Sequence, residues 1–137
     1  MLLQSGADPN LPRAVGMTAL MDASMRGDKE TVSILLGAGA DPNMQTHKND
    51  YYGGGMTALI IAAMQKEPEI VSMLLQANAD PYLQTNKGIT ALGMALEGRE
   101  KTANVMSRYQ NVPANLQETY NKNLDVIDLL SNSEAKE

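Results

Sequence analysis

Apolar residues in this chain fall in short clusters of two alternating kinds. Clusters of the first kind follow a threonine directly, as in Thr18-Ala19-Leu20-Met21, Thr57-Ala58-Leu59-Ile60 and Thr90-Ala91-Leu92. Those of the second kind, Val32, Ile34, Leu35, Leu36 and Ile70, Val71, Met73, Leu74, Leu75, are spaced as a helical stripe and run into a polar turn. The pattern predicts pairs of short helices. Each threonine can cap a first helix, its hydroxyl accepting from an orphan backbone N–H. Asp28 can cap a second helix, and Pro68 stands where a first-turn proline is tolerated. Gly6, Gly39 and Asn78 hold one equivalent place just past the second helix, where the left-handed conformation ends it. Asp-Pro then follows each time as a turn signal.

These clusters belong to two boxes that recur in phase. One is Leu2-Leu3-Gln4-Ser5-Gly6-Ala7-Asp8-Pro9-Asn10, repeated as Leu35 to Asn43 and as Leu74 to Tyr82. The other is Gly16-Met17-Thr18-Ala19-Leu20, repeated from Gly55 and from Gly88. Pro9 to Pro42 is 33 residues and Pro42 to Pro81 is 39, whereas Thr18 to Thr57 is 39 and Thr57 to Thr90 is 33. Both boxes thus place one six-residue insertion in the same stretch, between Gln45 and Gly55.

The 33-residue period and the two boxes resemble ankyrin repeats, over roughly residues 1–98. The resemblance implies an all-α solenoid of stacked helix-turn-helix units with hairpin-like connecting loops. The family's Thr-Pro-Leu-His is here Thr-Ala-Leu followed by Met21, Ile60 or Gly93, so the usual Thr–His contact cannot form. We divide the chain into half a repeat at 1–10, repeats at 11–43 and 44–82, a degenerate or capping repeat at 83–132 and a polar tail at 133–137. The start falls about twenty residues into a repeat, which suggests a fragment, or an N-terminal edge at Leu2 and Leu3 covered by something else, self-association included. For the third outer helix, Asn123 to Leu130 matches the repeat better than Arg99 to Tyr109 and requires a 23-residue insertion; an extra capping helix is the alternative. Ser131 to Glu137 is expected to be unstructured.

Composition narrows the chemistry. The chain has 137 residues, enough for one domain, with 43% hydrophobic and 20% charged residues, close to the globular average. It has no Cys and one His, so a thiolate zinc site or cysteine nucleophile is excluded and a transition-metal site is not expected. A net charge of −5 is the wrong sign for a phosphate-driven nucleic-acid binder. No run of apolar residues is long enough for membrane insertion, and the start lacks signal-peptide features; cytoplasmic placement is the default, with a secreted effector as the other option. The usual phosphate-loop, dinucleotide, serine-elbow and zinc-peptidase motifs are missing, and neither Gly53-Gly54-Gly55 nor the pair His47 and Asp50 makes a catalytic set. We expect no enzyme and no cofactor.

Binding is the stronger expectation, since stacked repeats create an extended concave surface. By resemblance, a partner protein or peptide would touch the hairpin tips and the exposed positions of the first helices. In this chain those are Arg13, Met17, Met25, Arg26, Tyr51, Tyr52, Met56, Met64, Gln65, Asn86 and Lys87. Met17, Met21 and Met25 are spaced four apart, as are Met56, Ile60 and Met64, so each trio shares a helix face. Methionine adapts to varied apolar partners, and the paired tyrosines of the insertion suit a recognition loop. Met21 and Ile60 read better as core.

Overall fold

A computed structural model describes residues 8–12, 16–47 and 54–135; Arg13, Tyr51, Tyr52 and the N-terminal edge at Leu2 and Leu3 lie outside them. Among the described residues there are six helices and no strand: α1 (Ala19–Arg26), α2 (Lys29–Gly37), α3 (Ala58–Met64), α4 (Pro68–Gln76), α5 (Ala91–Met106) and α6 (Ala114–Ala135). They pair as α1 with α2, α3 with α4 and α5 with α6, and each pair is a layer. The inner helix α3 packs on both α1 and α5, and the outer helix α4 on both α2 and α6.

The layers are copies in detail. Thr18, Thr57 and Thr90 are all extended N-caps, and each hydroxyl oxygen accepts from the backbone N–H three residues on, at 3.2, 3.1 and 3.1 Å. Asp28 caps α2 by accepting from the Thr31 backbone N–H at 3.1 Å. At α4 Pro68 opens the helix and Glu67 gives no side-chain cap. Gly39 and Asn78 both take the left-handed conformation past the outer helix, at φ 91° and 69°.

Asp8, Asp41 and Asp80 each accept from the backbone N–H two residues on, which fixes the Asp-Pro turn. The residue after the proline then ties one layer to the next. Asn10 accepts from Asp41 N–H at 2.6 Å, and Asn43 accepts from Asp80 N–H at 2.7 Å. Tyr82 holds the third place in that series and has no carboxamide to extend it.

The core is aliphatic and lies between the helix rows. Leu20, Met21, Leu59, Ile60, Val32, Ile70, Val71 and Leu74 are all within 1% of full burial. Met21 and Ile60 are therefore packing residues. The outer stripe is narrower than the sequence suggests: Val32 and Leu35 are buried, but Ile34 lies off that face and is 43% exposed.

The third layer differs in length. Gly27 and Lys66 end the inner helices of the first two layers with φ of 70° and 57°, whereas Arg99, in the same register, continues as helix to Met106. The outer helix is then 22 residues long, and Val126 and Leu130 within it are fully buried where Ile70 and Leu74 stand in α4. Asn123 to Leu130 thus lies in the outer row beside α4, and the residues between Gly98 and Asn123 lengthen both helices and form the connection between them. The polar end is helical through Ala135, a correction to the unstructured tail expected from residue 131, because the α6 backbone carries on past its last buried residue.

Candidate binding face

Because α1, α3 and α5 stand side by side, equivalent residues form rows across the layers. One row is Met25, Met64 and Glu97; both methionines are half-buried against the core with Glu97 exposed. The neighbouring row is Arg26, Gln65 and Gly98, of which Arg26 and Gln65 are exposed. Met17 is half-buried too, beside the start of α1. The face therefore pairs apolar side chains, partly covered, with polar ones at its margin.

Met56 stands apart. It is only 1% exposed, so it supplies packing and no contact area, unlike the surface position its spacing suggests. The cause is the neck of the insertion: the Met56 N–H donates to the Thr46 hydroxyl at 2.9 Å, and the Met56 carbonyl accepts from Thr46 N–H at 2.9 Å. Gly55 N–H also donates to the Thr46 carbonyl at 3.0 Å. The lengthened loop thus springs from a closed base, and Met56 is the residue that closes it.

The hairpins stack as closely as backbone allows. A Cβ on Gly16 would meet the His47 ring at 2.8 Å, and one on Gly55 would meet the Asn86 backbone nitrogen at 2.8 Å. Both glycines also have φ near 80°, so only glycine fits on two counts. Asn86 N–H donates to the Gly54 carbonyl at 3.1 Å, leaving the Asn86 and Lys87 side chains exposed at the tip. His47 is exposed and belongs to this stack; Asp50 lies outside the described residues.

Arg26 and Glu97 are each paired at the surface of the face. Arg26 lies 3.5 Å from Asp22 and 4.0 Å from Asp28. Lys101 lies 2.8 Å from Glu97, and its hydrogen bond and then its charge hold the Glu97 carboxyl below the usual range. Such exposed pairs shape the potential more than they stabilise the fold.

Sequence spacing missed two polar links. Gln45 Nε2 donates to the Gly55 carbonyl at 3.1 Å and to the Gln84 carbonyl at 2.9 Å, joining the insertion's neck to the third layer. The Asn10 and Asn43 ladder was likewise unread. Both had a signal, since Gln45 and Gln84 recur at the repeat spacing, as do the two asparagines.

Open depressions by the outer helices include one beside Ser33, Leu36 and Met73, and another beside Pro68, Glu69 and Asp128. Among the described residues no cluster of three or more His, Asp or Glu could hold a metal, and no helix is long and apolar enough to cross a membrane.

Comparison with known proteins gives the same architecture. A model of ankyrin repeats, in three copies, matches residues 1–85 and 39–117. The mitochondrial disaggregases of Homo sapiens and Bos taurus are each 49% identical to this chain over 43 residues, 31% of the chain. That segment spans only 6% of either relative.

Proposed function

Because this chain belongs to the ankyrin-repeat family, whose repeats generally serve protein interaction, we propose that its concave face and hairpin tips bind a partner protein or peptide. The observation that carries this reading is the half-buried pair Met25 and Met64, at matching places in adjacent layers with Arg26 and Gln65 exposed beside them. Flexible thioethers adapt to an apolar partner surface, and partial burial keeps their ordering cost low. In this proposal Met17, Asn86, Lys87, Arg13, Tyr51 and Tyr52 widen the contact, and Met56 supports it from below. The net charge of −5 favours basic or neutral partners, chiefly through association rate. The module acts without catalysis or cofactor, in the cytoplasm.

The test is affinity capture with mass spectrometry, comparing the native chain with Met25→Lys/Met64→Lys. Proteins retained by the native chain and lost from the double variant, at unchanged helical circular dichroism, support the reading. Equal retention by both overturns it.

A second reading has its own observation, the match to a short segment of a far longer mitochondrial disaggregase. In it, these repeats serve as the targeting or regulatory segment of a larger enzyme or a secreted effector. The full reading frame around this sequence distinguishes the two: a catalytic domain joined to the repeats favours the second.

A further inference from the structure

The third layer holds a buried polar group with nothing to bind. Asn123 is 0% exposed, and neither its Nδ2 nor its Oδ1 has a hydrogen-bond partner. Buried carboxamides are nearly always paired, so an orphan of this kind calls for a physical reason.

Register supplies one. Asp28, Glu67 and Asn123 hold the same place in the three layers, and the first two are the N-caps of their outer helices. Asparagine caps as well as aspartate does. Asp28 accepts from the N–H of Thr31, three residues along; the matching target of Asn123 is the N–H of Val126. In the 22-residue α6 that N–H lies inside the helix, where the backbone carbonyl four residues earlier takes it. Asn123 is a cap whose helix has grown past it.

The other end of the extension carries a matching fault. Gly98 lies in the middle of α5, directly before the register position at which Gly27 and Lys66 turn left-handed and end α1 and α3. Glycine is among the weakest helix formers. Packing does not require it, because a Cβ there would meet Asn123 at 3.4 Å, an ordinary contact. Thr102 Oγ1 donates to the Gly98 carbonyl at 2.9 Å, a side-chain bond that competes with the ladder at the same turn. Between these faults, none of the core's buried apolar residues falls within 99–122.

We propose that residues 99–122 are a detachable helical extension, and that the third layer exchanges between the long helix pair and a short one. In the short state α5 ends near Gly98, Asn123 caps an outer helix beginning at Leu124, and Val126 and Leu130 keep their core places. The layer then matches the first two, and the released segment is a strap tethered at both ends.

Hydrogen exchange on the full chain tests this. The amides of 99–122 should exchange as a unit, at least about tenfold faster than those of α3 and α4, since local opening costs less than global unfolding. Asn123→Ala removes both the orphan amide and the cap of the short state, and should slow that segment about tenfold. Asn123→Asp keeps the cap but buries a carboxylate in the long state, and should accelerate it at least about tenfold. In both variants α3 and α4 should change less than the segment does. The proposal is overturned if 99–122 exchanges no faster than α3 and α4, or if the variants shift both regions by one factor; should Asn123→Asp fail to fold, the Asn123→Ala comparison decides.

Discussion

Two glycines of the same repeated box should behave differently when given a side chain. Gly55 and Gly88 have nearly the same positive φ, 79° and 78°, but a Cβ on Gly55 meets backbone at 2.8 Å while one on Gly88 meets nothing closer than 4.0 Å. Gly88→Ala should therefore cost about 1 kcal/mol of conformational strain, and Gly55→Ala upward of about 2 kcal/mol as the hairpins separate. Equal losses in urea midpoints would mean that the third hairpin does not press on the second. Lys66 presents the reverse case. It holds φ 57° where the first layer has Gly27, so Lys66→Gly should stabilise by about 0.5 kcal/mol, the relief of strain exceeding glycine's added unfolded-state entropy.

Asp28 links a cap to pH. Its side-chain hydrogen bond with Thr31, then the backbone one, and then the Arg26 charge hold its carboxyl below the usual range. The fold therefore favours the ionised form, and that contribution is full above about pH 4, the ordinary aspartate value, and lost as pH falls past the depressed one. Asn remains a good cap without a charge to titrate. The midpoint difference between the native chain and Asp28→Asn should shrink as pH drops below about 4; a constant difference across that range would count against the bond.

At the scale of elements, the third layer decides between two assignments of its outer helix. Leu130 is fully buried and Leu124 is 40% exposed. Leu130→Ala should cost about 2–4 kcal/mol and Leu124→Ala under about 1 kcal/mol. Comparable losses would displace Asn123 to Leu130 from the outer-helix role. The sequence made this segment recognisable because Val126, Ile127 and Leu130 repeat the spacing of Ile70, Val71 and Leu74. It did not reveal that α5 would run to Met106. Ending an inner helix takes a left-handed residue, and Lys66 adopts that conformation with Pro68, which cannot continue a helix, two residues on; Arg99 has Lys101 at that place and stays helical. Caps and turns were legible because they are made within three residues.

At the scale of the whole molecule, the contacts that join the layers include apolar burial between helix rows, the Asn10 and Asn43 ladder, the Gln45 link to Gln84 and glycine-tight hairpin stacking. The register of the candidate face could be read from the repeat, since it follows from equivalent positions. Exposure could not, because it depends on the neighbouring layer and on the loop base. Met56 and Met64 share a stripe in the sequence, yet the Thr46 pairing draws one into the core and leaves the other half-covered on the face.

The central claim is that partner recognition belongs to the inner row and not to the outer helices. It is tested most directly by titrating a purified captured partner against three proteins: the native chain, Met25→Lys/Met64→Lys, and Ile34→Lys, whose side chain is 43% exposed on the outer helix α2. We expect the double variant to lose at least about tenfold in affinity, about 1.4 kcal/mol, while Ile34→Lys binds as the native chain does. Unchanged binding by the double variant, or an equal loss in Ile34→Lys, would contradict the account.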